Sequence, residues 1–352
     1  MTSRIPIINR TLRVFALAIA GASVLATSAV AEGEVNVYSY RQPFLIKPLL
    51  DAFTSETGIK ANVTFAKKGL IERIKAEGTN SPADVILTVD IGRLDGAKQA
   101  GITQPVKSAS IDANIPAQYR DPEGHWVGVT TRSRIIYISR DRVTQNSITY
   151  EELADPKWKG KICTRSGQHV YSIGLFASII AHHGEEKAEA WLAGVRDNLA
   201  RKPAGNDRAQ VKAIFSGECD VSLGNTYYMG KMTTNEKEPE QKAWADSVKI
   251  LFPNAADRGS HVNISGMIMA KHAPNRDNAL KLMEFLASEN AQQIYAEKNF
   301  EYPVKEGVEA SDLVKSWGEL KPDALPLADI AKHRKKASEL VDKVGFNKGP
   351  NS

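Results

Sequence analysis

Three tyrosines hold the most distinctive chemistry in this 352-residue chain. Tyr227 and Tyr228 are adjacent in Gly224-Asn225-Thr226-Tyr227-Tyr228-Met229-Gly230, directly after a short apolar run at 221–223 that reads as a strand. Tyr171 stands in a second loop, Thr164-Arg165-Ser166-Gly167-Gln168-His169-Val170-Tyr171-Ser172, which also follows a short strand and precedes an apolar helix. A phenolate oxygen is a hard anionic donor. A bound trivalent cation supplies the charge that draws a phenol from its ordinary pKa of about 10 to below neutrality. Three phenolates balance such a cation. The plain alternative, tyrosines packed in a core with a hydrogen-bonded hydroxyl, suits one isolated pair; a second loop of the same kind argues against it.

Basic residues complete the pattern. Arg41 follows the first strand, and Arg132 and Arg134 share one face of a later strand, near the mouth of the expected cleft. A guanidinium is planar, always charged and able to hold an oxyanion such as carbonate through two parallel hydrogen bonds; the alternative role is an interlobe ion pair. His169 reads as structural, His182-His183 as a helix-end cap, and Asp90 as the cap of the helix that starts at 91.

The elements that must position these residues follow from periodicity. Alternation over 34–40, helical spacing over 44–53 closed by Thr57-Gly58, and further strand and helix stretches at 60–65, 70–77, 83–88 and 91–100 predict a parallel, doubly wound α/β sheet. A long β-type run at 126–139 leaves one lobe and enters another, where 161–164 and 221–223 are strands and 173–182, 185–200 and 209–216 are helices. A second run at 261–270 returns the chain to the first lobe, ahead of one long helix over 279–297. Two such crossings make a hinge, with the ligand in the cleft beyond the strand ends. The Lys/Arg/Glu-rich segment 332–343 reads as a solvated helix.

Residues 1–31 read as an export leader: Arg4, Arg10 and Arg13, an apolar run too short to span a bilayer, then Ala29-Val30-Ala31. Without them 321 residues remain, and loss of the three leader arginines takes the formal charge from +5 to about +2. That balance argues against a nucleic-acid partner. Cys163 and Cys219 suit either one disulfide in an oxidising compartment or two buried thiols. No nucleophile elbow, zinc-protease, phosphate-loop or EF-hand motif is present, which leaves a secreted hydrolase without support.

Taken together, Val37-Tyr38-Ser39-Tyr40-Arg41-Gln42, Thr131-Arg132-Ser133-Arg134, Arg165-Ser166-Gly167 up to Tyr171, Gly205-Asn206-Asp207-Arg208 and Asn225-Thr226-Tyr227-Tyr228 resemble the periplasmic ferric-ion-binding proteins of bacterial ABC iron importers. The resemblance runs over nearly the whole chain after the leader. It implies a two-lobe periplasmic-binding-protein fold, with 32–131 and 266–352 as the N-terminal lobe and 132–265 as the C-terminal lobe. It implies ferric iron (Fe3+) on Tyr171, Tyr227 and Tyr228, a carbonate or bicarbonate companion anion on Arg41 and Arg132, and delivery by a monomer to an inner-membrane permease, with no enzymatic step. Many members carry His or His-Tyr in the first loop, where this chain has Gln42 and Pro43, so the first lobe is expected to add no strong ligand. A binding protein of the same fold for a small organic or polyamine solute is the alternative, with the tyrosines as an aromatic wall.

Overall fold

The computed structural model describes residues 1, 2 and 33–350. The leader reading rests on residues outside these. Strands β1 (Glu34–Ser39), β2 (Lys60–Phe65) and β3 (Val85–Val89) alternate with helices α1 (Pro43–Thr57), α2 (Leu70–Glu77) and α3 (Ile91–Gln99). β1 runs parallel to both β2 and β3, as expected of strand-helix-strand crossovers. Gly58 ends α1 in the left-handed region at φ 72°, which glycine adopts without a Cβ penalty. After α4 (Ala109–Asn114) comes β4 (Val127–Ser139), whose thirteen residues are all buried.

The chain continues through β5 (Ile162–Cys163), α5 (Val170–His183), α6 (Glu185–Asp197), α7 (Asp207–Phe215), β6 (Val221–Asn225), α8 (Tyr227–Thr233), α9 (Glu240–Asp246) and β7 (Val248–Leu251). It returns by β8 (Val262–Met269), then α10 (Arg276–Ala287), α11 (Glu289–Ile294), β9 (Tyr302–Pro303), α12 (Asp312–Lys315) and α13 (Leu327–Lys343). The sheet order is β2-β1-β3-β8-β4-β6-β5, with β7 and β9 also on β4. β4 divides its pairing: residues 127–133 lie against β8, residues 134–138 against β6 and residues 136–139 against β7. β8 in turn pairs β3 through residues 265–269. These are the two crossing strands that the long β-type runs predicted.

Two differences from the sequence pattern have local causes. The helix expected over 279–297 is broken, because Ser288 is extended and caps a new helix by accepting from Ala291 N; a π-helical turn, Tyr295–Asn299, follows. The solvated helix at 332–343 is the solvent face of α13. Its Ile330, Ala337, Leu340 and Val341 are buried, and its end packs Val341 and Phe346 against Gly167, where a Cβ would meet the Phe346 ring at 2.8 Å.

Cys163 and Cys219 form a disulfide. Its loop spans 56 residues, so the chain-entropy account gives about 4 kcal/mol relative to the reduced chain. It sits in a core with Ile135, Tyr137, Ile214 and Met232, while Val35, Val37, Phe53 and Phe285 belong to another core around β1, α1 and α10.

Candidate metal centre

Each of the three tyrosines lies in the first turn of a helix. Tyr171 is the second residue of α5, whose start is fixed by His169: the imidazole Nδ1 accepts from Tyr171 N at 3.2 Å, and the two rings meet edge to face at 4.6 Å. Burial and the nearby Arg165 hold His169 neutral, with its pKa down at about 3. A ring nitrogen committed to capping is the structural role expected of it. Tyr227 and Tyr228 open α8 directly after β6, and Tyr137 Oη donates to Asn225 O at 2.8 Å to anchor the strand end. Gly224 permits this, since a Cβ there would lie 2.1 Å from the Tyr137 ring.

The two helix starts bring the phenols together. Tyr171 Oη and Tyr227 Oη are 3.1 Å apart, and the Tyr227 and Tyr228 rings stack at 4.4 Å. All three line one cavity of about 90 Å3, with Arg41, Arg208 and Glu301 on its wall and Gln42 exposed at its mouth. Burial, reinforced by the neighbouring phenols, pushes Tyr227 well above the ordinary phenol range, and burial with Tyr171 and Asp207 pushes Tyr228 up to about 12. These phenols are therefore neutral at pH 7, and only a bound cation makes them ionise. Tyr40 also lines the cavity, but its hydroxyl accepts from Ile71 N at 3.0 Å.

The arginines are buried in the hinge region instead of standing at a cleft mouth. Arg41 is 4% exposed and makes a bidentate ion pair with Glu301, at 3.0 Å from each Nη, while Nη1 also donates to Ser265 Oγ. Arg132, 1% exposed, reaches the same Ser265 Oγ through Nη1 at 3.5 Å, and its guanidinium lies 5.5 Å from the Tyr171 ring centre. Arg134 belongs to another group: Asp207 accepts from Arg134 at 2.6 Å, from Arg165 at 2.9 Å and from Asn225 N at 2.9 Å. Burial alone would raise the Asp207 carboxyl, and the two guanidinium groups outweigh it and hold it ionised. Arg165 and Arg208 then lie over the rings of Tyr171 and Tyr228, at 5.1 and 5.2 Å.

Asp90 caps α3 as expected, accepting from Gly92 N at 3.0 Å. Its backbone is strained, with φ 80° in a non-glycine residue, and its side chain explains why that conformation persists: it also accepts from Arg334 of α13 at 2.9 Å and from Asn263 of β8 at 3.0 Å. Sequence reasoning passed over Glu301, Asp207 and Arg165. Asp207 and Arg165 stand inside segments already noted for other residues, whereas Glu301 carries no local signal.

A mixed sheet crossed by two long strands, with a polar cavity built from helix starts beyond the strand ends, defines a binding protein. The chain belongs to the bacterial extracellular solute-binding protein family, whose profile matches residues 80–333. It is 45% identical over 324 residues to iron uptake protein A1 of Synechocystis, covering 92% of this chain and 90% of that protein. It is 27% identical to the major ferric iron-binding protein of Neisseria meningitidis, over 93% of this chain and 97% of that one. Among solved structures, apo ferric ion-binding protein A of Pasteurella haemolytica superposes with a TM-score of 0.85 at 53% identity, covering 89% of this chain and 98% of that one. A Trichodesmium protein in complex with iron and citrate superposes with a TM-score of 0.84 at 45% identity, over 89% of this chain and all of that one. The fold is thus the two-lobe α/β fold of periplasmic binding proteins.

Proposed function

We propose that this protein captures ferric iron on the phenolates of Tyr171, Tyr227 and Tyr228 and delivers it, as a periplasmic monomer, to an ABC transporter permease in the inner membrane. The observation that carries this reading is the convergence of three phenols from two separate helix starts on one cavity, with two hydroxyls 3.1 Å apart. Three anionic oxygens match the charge of the cation. The ferric-ion-binding and iron-uptake relatives, at up to 53% identity, support the same cargo.

Arg41 and Arg132 are the residues proposed for the companion anion, carbonate or bicarbonate. They meet at Ser265, and Arg41 Nε is buried without a partner. Lobes 32–131 with 266–352 and 132–265 would close about β4 and β8. Lys231, one turn beyond the tyrosine pair, then reaches the carbonyl of Lys298 at 2.5 Å and lies over the Phe44 and Phe300 rings, so that α8 is tied to residues from the other side of the cavity. Capture breaks no covalent bond; release follows when the phenolates regain protons or the anion leaves.

The test is a visible spectrum of the protein lacking residues 1–31, stripped of metal and titrated with ferric citrate in bicarbonate buffer. The expected result is an orange-red phenolate-to-iron charge-transfer band that saturates near one iron per chain, with marked loss of iron retention in Tyr171→Phe, Tyr227→Phe and Tyr228→Phe. A colourless titration would refute the metal reading and turn the tyrosines into the wall of an organic or polyamine site.

A further inference from the structure

Tyr171 also lines a second, smaller cavity of about 10 Å3, shared with Arg132, Arg134, Asn225, His261 and Asp90. It holds one water-sized particle. Among the described residues, four donor atoms of this lining are buried without an acceptor: Arg132 Nη2, Arg134 Nε and Nη2, and Asn225 Nδ2. Buried donors are normally paired, because leaving one unpaired forfeits its hydration with no return.

The neutral imidazole of His261 offers one ring nitrogen as an acceptor to these four donors; the other surrounding acceptors are already engaged. Asp207 takes Arg134, Arg165 and Asn225 N. Asp90 takes Gly92 N, Arg334 and Asn263 Nδ2. Asn225 Oδ1 takes Arg134 Nη1, and Asn263 Oδ1 takes the backbone amides of Ile91 and Ile264.

Charge is unbalanced in the same direction. Five guanidinium groups gather here, those of Arg41, Arg132, Arg134, Arg165 and Arg334, against the three carboxylates of Glu301, Asp207 and Asp90. A water in the chamber would satisfy donors and leave two positive charges uncompensated. A monoatomic anion does both.

We propose that this chamber is a halide site, filled by chloride, with Arg132 Nη2, the free Arg134 nitrogens and Asn225 Nδ2 as its donors. It is distinct from the carbonate proposed at Arg41 and Arg132: Arg132 turns Nη1 towards Ser265 and Arg41 and leaves Nη2 to the chamber, and a four-atom oxyanion does not fit a one-particle cavity. The halide site does not depend on the iron assignment. Its place beside Tyr171 gives it a consequence for that assignment. The halide offsets buried positive charge that would otherwise oppose a trivalent cation at the phenol.

The test uses the iron-free protein lacking residues 1–31. Thermal unfolding in sodium bromide is compared with unfolding in sodium gluconate at equal ionic strength, and bromide-soaked crystals are examined for anomalous scattering. The expected results are a Tm that rises and saturates with bromide only, loss of that rise in Asn225→Asp, whose carboxylate takes the halide's place, and an anomalous peak in contact with Arg132 and Arg134. Equal melting in the two salts overturns the proposal, as does an oxygen-sized peak without anomalous signal, which would mean that water fills the chamber. Should Asn225→Asp not fold, the crystal measurement decides alone. A ferric charge-transfer band without any halide effect would remove the chamber's role and leave the metal centre standing.

Discussion

Proton competition gives the sharpest quantitative test of the tyrosine centre. With Tyr228 held at about 12, converting it to phenolate at pH 7 spans five pKa units, or about 7 kcal/mol, which the metal must supply. Each neutral phenol that ionises on binding contributes a factor of ten in apparent affinity per pH unit, so three of them contribute about a thousandfold. Tyr228→Phe removes one such proton. Between pH 6 and 8, competition with a chelator of known proton dependence, followed at the charge-transfer band, should give a plot of log affinity against pH that is shallower by one unit in the variant. The wild-type to variant affinity ratio should therefore change about a hundredfold across that range. Because the anion's own protons are common to both proteins, they cancel in the difference. Parallel slopes would refute the assignment of Tyr228 as a phenolate ligand, however much the affinity itself falls.

Three other consequences are open to measurement. Asp207→Asn leaves Arg134 and Arg165 buried with a neutral partner and should cost on the order of 3–5 kcal/mol in urea unfolding; a loss below about 1 kcal/mol, the range of an exposed pair, would mean that the group is not buried as described. Gly230→Ala puts a Cβ 2.3 Å from the Phe300 ring and should destabilise by about 1–3 kcal/mol, and should cost far less when introduced into Phe300→Ala, where the ring is gone. An equal cost of Gly230→Ala in the two backgrounds would show that the contact is not the cause. The third concerns alkaline pH. Tyr228, Tyr227 and Tyr137 are raised chiefly by burial, so the unfolded chain sheds their protons near pH 10 while the folded one keeps them. Stability contributed by these neutral phenols is complete below pH 10 and falls as pH climbs towards 12, by about 1.4 kcal/mol per pH unit per phenol. Equal urea midpoints at pH 9 and pH 11 for the iron-free protein would contradict this.

Much of this architecture was legible in the sequence because it is written in short-range patterns. Alternation and helical spacing located β1 to α3, Thr57-Gly58 marked the end of α1, and the β-branched run before Ser139 announced a strand too long for one lobe. The phenols were legible by their chemistry and by the strands before them. What escaped was relational. Glu301 meets Arg41 across 260 residues, and nothing in Phe300-Glu301-Tyr302 shows that a carboxylate there is buried. Asp207 looks like one more acid at a helix start until Arg134 and Arg165 are brought to it across 73 and 42 residues. The continuous helix read over 279–297 failed at Ser288, where a capping hydroxyl outweighed the apolar repeat on either side.

The placement of β8 has a consequence for biogenesis. It fills the slot between β3 and β4, yet Asp90 and Asn263, which meet there, are 173 residues apart in the chain. A chain emerging from its amino end must therefore carry two buried-type strands with open edges until residue 262 onward arrives. At the usual pace of synthesis the 122 residues separating β4 from β8 take roughly 6 to 25 s. Throughout that interval β3 and β4 each present one unmatched strand edge, the state that a holdase recognises and that self-association exploits. The same late insertion keeps the chain from locking prematurely, so the two halves become a hinge only when the whole message has been read.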